Sequence, residues 1–168
     1  MKYLVTAFIV FAVGSSTTSF STNDQNKLKT GFYYLAETES QGEIILDADS
    51  EDRFAVNPNE ILAASDFSAV KVAQRNFKPE PRKVIELKLT KDGRRKWAEI
   101  QRRMSATGES IVFVCNDKIY LEKRFFGKVK LDNSKIDLLI DAKYQETIFQ
   151  IIQFEIKKTG NHPSEFDN

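Results

Sequence analysis

Apolar and polar residues alternate in short runs along most of the chain, and this pattern predicts strands. The runs fall at 32–35, 43–46, 54–56, 84–89, 111–115, 118–121, 128–131 and 136–140, with one more strand following a turn within 65–77. Asn57-Pro58-Asn59 is a turn signal that closes the third run. Asn116-Asp117 predicts a tight turn, so residues 110–122 form a β-hairpin.

A helical period replaces the alternation after residue 90. Gly93, Trp97, Ile100 and Met104 are spaced i, i+4, i+7 and i+11, which places them on one narrow face of a helix. Thr90 is the predicted N-cap, and a glycine at 108 ends the helix. The pattern therefore predicts a buried tryptophan with the basic residues on the opposite side.

Two ion pairs are predicted within that helix. Glu99 is four residues from both Arg95 and Arg103, and pairs at this spacing are each worth a few tenths of a kcal/mol.

The segment from 142 onward fits two structures. Tyr144, Ile148, Ile151 and Ile152 suit a helix, whereas residues 152–157 alternate as a strand would. We favour a helix over about 142–153 and leave open whether the segment ends as a strand. Residues 158–168 are predicted to be a flexible tail.

The first 21 residues have the pattern of a secretory signal peptide. Lys2 precedes an uncharged run from 3 to 14, and Ser19 and Ser21 are small residues at the −3 and −1 positions of a cleavage site. The run is shorter than the roughly 20 residues that span a bilayer. The sequence thus predicts export across the inner membrane to the periplasm or the extracellular space.

The charge balance argues against a nucleic-acid partner. The 25 basic and 24 acidic residues become 24 of each without the signal peptide, whereas polyanion binders carry a basic excess. The single cysteine, Cys115, lies in an apolar run and is predicted to be a buried thiol.

No catalytic, metal or cofactor motif in the chain is complete. The acidic turn at Asp47 lacks the glycine and the glutamate of a calcium loop. Ser68-x-x-Lys71 lacks the middle element of a penicillin-binding enzyme. His162 is the only histidine and has no predicted partner. We therefore expect a protein that is not an enzyme and has no metal, cofactor or catalytic residue.

Cations and aromatic residues occur together at the end of the hairpin. Exposed there, Arg124, Phe125 and Phe126 would contact a partner, together with cations of the 91–104 helix such as Arg95 and Arg102. These five residues are the candidate partner-binding set.

Residues 61–122 resemble the P1 head subdomain of SecD and SecDF, accessory proteins of bacterial protein export. The similar stretches are Ile61-Leu62 with Asp66-Phe67-Ser68-Ala69-Val70, the strand 84–89, Thr90-x-x-Gly93-x-x-x-Trp97-x-x-Ile100, and Gly108-x-x-Ile111 through Ile119. The resemblance implies an α+β head in which two helices pack on one face of a small mixed or antiparallel sheet. It also implies an extracytoplasmic domain that handles emerging polypeptide, with no catalytic residues.

The sequence pattern and the resemblance together divide the chain into a signal peptide (1–21), an N-terminal part with short strands and an acidic turn (22–60), the head-like domain (61–157) and a tail (158–168). The leading hypothesis is an exported envelope protein that binds a peptide or protein. The alternatives are a binder of an anionic small molecule or lipid headgroup, with peripheral membrane contact, and a small hydrolase.

Overall fold

The computed structural model describes residues 28–50, 52–124 and 134–160, without the side chains of 123 and 124. The strands are β1 Gly31–Leu35, β2 Glu43–Asp47, β3 Arg53–Ala63, β4 Phe67–Asn76, β5 Pro81–Leu89, β6 Ser110–Cys115, β7 Lys118–Arg124 and β8 Lys135–Leu138. The helices are α1 Lys91–Thr107 and α2 Ala142–Lys158. The predicted strand at 128–131 lies outside the described residues.

The strands form two sheets where the sequence predicted one. Five of them close a barrel in the order β1-β3-β2-β7-β6, and three form an antiparallel sheet in the order β4-β5-β8. Within the barrel only β2 and β7 run parallel. The mixed α+β class with two helices is confirmed, and the single small sheet is corrected to a barrel plus a sheet.

The barrel differs from the predicted single sheet because β3 continues through residues 57–59, where the sequence predicted a turn. Its first half pairs with β2 and its second half with β1, so that Val56 lies opposite Glu43 and Glu60 opposite Tyr33. The β1–β3 register shifts between Tyr33 and Leu35. An irregularity of this kind tolerates Pro58 inside a strand. The predicted boundary at residue 60 falls inside this strand.

Alternating side chains divide the interior into two cores. Val112 and Val114 of β6 point into the barrel with Tyr33, whereas Ile111 and Phe113 of the same strand join the larger core outside it. The larger core also takes the apolar faces of β5, α1 and α2. Because both faces of β6 are buried, its sequence is a continuous apolar run.

Helix α1 begins and ends where the sequence predicts. The Thr90 side chain accepts a hydrogen bond from the backbone N–H of Gly93 at 3.0 Å, and Gly108 ends the helix at φ 72°. Trp97 is 1% exposed and packs against Phe32, with ring centroids 5.7 Å apart. The predicted buried face, including Met104, is confirmed.

Gly93 allows α1 to approach the chain segment before β4. A Cβ atom at this position would lie 2.3 Å from the carbonyl oxygen of Asp66, a backbone atom that cannot turn aside. The Asp66 carboxylate is itself held by the backbone N–H of Ala63 and by Lys96. The close approach therefore fixes the helix start against the sheet.

We expect Gly93→Ala to destabilise the fold by about 1–3 kcal/mol, the usual cost of overpacking. Helix propensity alone predicts the opposite sign, a gain of about 1 kcal/mol. Urea denaturation of this variant beside Ser105→Ala, an exposed site on the same helix, separates the two effects. A Gly93→Ala protein more stable than wild type would contradict the close approach.

Helix α2 extends to Lys158, beyond the predicted end at 153. Ile148, Ile152 and Ile156 are buried at a spacing of four, whereas Phe154 is 57% exposed. A strand would have placed 152, 154 and 156 on one side, so the helical alternative is confirmed over the whole segment. The helix lies against β4 and β5, while α1 contacts β3 and β5.

Neither α1 nor α2, the helices of the described part of the chain, is long and apolar enough to cross a membrane.

Candidate functional site

Two cations of α1 are neutralised by acids outside the helix. Lys96 Nζ lies 2.8 Å from the buried carboxylate of Asp66. Arg103 donates two hydrogen bonds to Glu109, at 2.6 and 2.9 Å, and its guanidinium lies 4.4 Å from the Tyr34 ring centre. The bond to Arg103 lowers the pKa of the Glu109 carboxyl. These cations hold the helix to its neighbours.

The predicted pairs of Glu99 are wrong, because both arginines contact other acids. Arg103 turns to Glu109, and Arg95 lies 3.6 Å from Asp92, with both side chains more than three-quarters exposed.

Four other positions form a basic surface, which we call the basic stripe: Lys91, Arg94, Arg95 and Arg102. All four are exposed. At 100° per residue they lie within an arc of about 100° whose centre is about 110° from Trp97 around the helix axis. Among the described residues, no acid lies within 4.0 Å of any of them except Asp92 near Arg95.

The structure thus brings together two of the five predicted contact residues, Arg95 and Arg102. It adds Lys91 and Arg94, which the same helical projection of the sequence could have identified. Arg124 ends β7, and its side chain is not described; Phe125 and Phe126 lie outside the described residues. Their role stays a prediction.

A second charged cluster lies on the β4-β5-β8 sheet and is internally paired. Glu86 is 1% exposed and is contacted by Arg75, while Lys71 and Lys135 each lie 3.4 Å from its Oε1 atom. Burial opposes ionisation of Glu86, but the hydrogen bond from Arg75 and the two lysine charges outweigh it and lower its pKa. Arg75 also contacts Asp137 at 2.7 Å. We infer that this cluster stabilises the fold, because its charged groups form ion pairs with one another.

Cys115 is buried, as predicted. Its thiol lies 3.8 Å from the Thr30 hydroxyl, and burial raises its pKa to about 11. A thiol in this environment is inert.

A cleft opens among β1, β2 and β3 beside the barrel core. Its volume is about 350 Å³. Its lining consists of Leu28, Lys29, Tyr33, Glu43, Pro58, Asn59 and Glu60. Sequence reasoning missed it because the predicted turn at 57–59 would have placed Glu60 in a loop, whereas β3 sets it opposite Tyr33.

Glu60 is the electrostatically costly residue of the cleft. Its Oε1 atom is buried without a hydrogen-bond partner. That atom lies where a side chain on Gly31 would be, 2.6 Å from a Cβ built there. Burial raises the pKa of the Glu60 carboxyl. The other charges acting on it are those of Lys29, Asp66, Lys96 and Glu155.

We expect Glu60→Gln to raise the melting temperature at pH 7. Because the folded-state pKa of Glu60 exceeds its unfolded value, the folded state gains from this group only at low pH and loses that gain as the pH rises through the folded pKa. The advantage of the variant should therefore shrink as the pH falls towards 4. Thermal denaturation from pH 4 to 8 measures this, and a variant less stable than wild type at pH 7 would contradict it.

The barrel, the three-stranded sheet and the two helices define a mixed α+β protein. A crystal structure of SecDF in its super-membrane-facing form has a similar fold, with a TM-score of 0.53 over 76% of this chain at 12% sequence identity. The chain spans 18% of the length of that SecDF chain. The predicted resemblance is confirmed at the level of the fold: the protein is SecD-like in structure.

No family model matches the sequence. No curated protein matches it either.

Proposed function

We propose that the chain is an exported envelope protein whose domain corresponds to the P1 head of SecD and that it binds polypeptide without catalysing a reaction. The observation that carries the proposal is the basic stripe: four exposed cations on a SecDF-like fold, of which three have no acidic partner among the described residues. The signal-peptide pattern of residues 1–21 supports the compartment.

The stripe favours a partner with acidic side chains. Charges that remain unneutralised on a surface raise the local concentration of an oppositely charged partner and speed its association. An extended polypeptide laid along α1 could pair its carboxylates with Lys91, Arg94 and Arg102 in turn. Each exposed pair contributes little, about 0.2–1 kcal/mol, so binding would be weak, reversible and salt-dependent.

An anionic lipid surface is the second candidate, and the same stripe would contact it. Membrane-surface helices add an apolar face to their charges. The apolar face of α1, with Trp97, Ile100 and Met104, is buried in the protein core. Lipid binding would therefore rest on charge alone, and we favour polypeptide.

A hydrolase would need a pocket with convergent polar groups and a perturbed carboxylate. The cleft supplies one such carboxylate, Glu60. The described residues that line it include no serine, cysteine or histidine that could act as nucleophile or proton shuttle.

Retention of unfolded polypeptide by the immobilised protein tests the proposal. A reduced and carboxymethylated secretory protein serves as the permanently unfolded, acidic probe. We expect wild-type protein to retain it at low salt and the double variant Arg94→Glu, Arg102→Glu to retain about tenfold less, because the reversal of two charges lowers the net charge of the surface by four units.

The matched control is Arg82→Glu, Lys83→Glu, which reverses the same charge on β5, away from α1. Equal retention by wild type and both variants would contradict a role for the stripe. No retention by wild type would contradict polypeptide binding, and retention of vesicles of anionic phospholipid alone would assign the stripe to lipid.

A further inference from the structure

The cleft among β1, β2 and β3 is a mouth of the barrel interior. Directly paired residues of neighbouring strands share a face, and Tyr33 and Val56 belong to the barrel core. Glu60 lies opposite Tyr33 and Glu43 lies opposite Val56. Both carboxylates therefore belong to the inner face of the barrel, and barrel mouths are common ligand sites.

The residues that line this mouth carry more acidic than basic side chains. Lys29 is the one cation among the lining residues of the described chain, against the two carboxylates of Glu43 and Glu60. The Tyr33 hydroxyl donates a hydrogen bond to the backbone carbonyl of Lys29 at 2.7 Å. The Glu60 Oε1 atom has no hydrogen-bond partner in the described structure. One oxygen of this half-buried carboxylate is thus shielded from water without a partner, which costs free energy, and a positive charge in the cleft would offset that cost electrostatically.

We propose that the cleft is a subsite for a cationic side chain, the guanidinium of arginine or the ammonium of lysine, on a bound polypeptide. This rests on the proposed polypeptide binding and adds to it the chemistry of one position. The cleft would pair the cation with Glu60 and Glu43, beside the ring of Tyr33. Its volume of about 350 Å³ lies at the small end of ligand pockets and suits a side chain better than a cofactor.

Glu60 also links the subsite to α1. Lys96 and Asp66, which anchor the start of that helix, both act electrostatically on the Glu60 carboxyl. The Glu60 carboxyl therefore lies within electrostatic range of the start of α1.

Small probes test the subsite apart from the rest of the polypeptide. Methylguanidinium and the neutral methylurea have the same shape, so a charge-selective site distinguishes them. We expect methylguanidinium to shift the backbone amide resonances of Tyr33, Glu43 and Asn59 saturably in wild type and in the control Glu39→Gln, whose residue is exposed outside the cleft. We expect its affinity to fall about tenfold in Glu60→Gln. Equal shifts with methylurea, or unchanged affinity in Glu60→Gln, would overturn the subsite.

Two peptides then separate this inference from the proposed function. They are identical except for arginine or its neutral isostere citrulline at the central position. We expect the arginine peptide to bind wild type about tenfold more tightly and the preference to vanish in Glu60→Gln. Equal binding of both peptides to wild type would overturn the subsite and leave polypeptide binding standing. Binding of neither peptide, with no retention of the unfolded chain, would overturn both.

Discussion

Trp97→Ala should lower the free energy of unfolding by about 3–5 kcal/mol, the usual cost of truncating a large buried aromatic side chain. The indole is 1% exposed and packs against Phe32, whose ring in turn contacts Phe113 edge-on at 5.2 Å. The substitution would leave a cavity where α1 meets the barrel. Urea denaturation followed by circular dichroism measures the change.

Two further variants keep this prediction testable if Trp97→Ala fails to fold. Trp97→Phe retains most of the volume and should cost less. Arg94→Ala, on the exposed side of the same helix, should stay within about 0.5 kcal/mol of wild type. A loss below 1 kcal/mol in Trp97→Ala would contradict the position of the indole in the core.

Glu86→Gln should destabilise the protein by about 2 kcal/mol at pH 7, because the charge-assisted hydrogen bond from Arg75 is lost, whereas the three cations, each about a third or more exposed, stay partly solvated. The change leaves Arg75, Lys71 and Lys135 around a neutral amide. Since the folded-state pKa of Glu86 is lowered, its contribution is present at neutral pH and is lost as the pH falls through that lowered value. The difference between wild type and variant should therefore narrow in acid.

The control for this substitution is Glu80→Gln, which makes the same change at an exposed position just before β5. It should leave stability within about 0.5 kcal/mol of wild type at every pH. Two variants of equal stability at pH 7 would show that the cluster on the sheet contributes nothing.

Local patterns predicted the helices and most strands. For α1, the cap at Thr90, the spacing of the buried face and the glycine stop all indicate one element, so local and tertiary preferences agree. The hairpin turn was readable as well, because Asn116 and Asp117 tolerate the positive φ angles of 51° and 56° that they adopt.

The pairing of strands that are distant in the sequence could not be predicted from local patterns, and this pairing closes the barrel. A turn signal at Asn57-Pro58-Asn59 outweighed the apolar residues after it, although β3 passes through this segment with a shifted register. The same difference between local pattern and strand pairing applies to the two candidate sites. The basic stripe follows from the helical period alone, whereas the cleft depends on Glu60 pairing with a strand almost thirty residues away and was missed.

Photo-crosslinking from position 102 tests the central claim, polypeptide binding along α1, most directly. A photoreactive phenylalanine derivative replaces Arg102 in the full-length protein in living cells, and the same residue at Glu80 serves as the control. We predict adducts with exported polypeptides from position 102 that are absent from position 80. Adducts from neither position, or equal adducts from both, would contradict the claim.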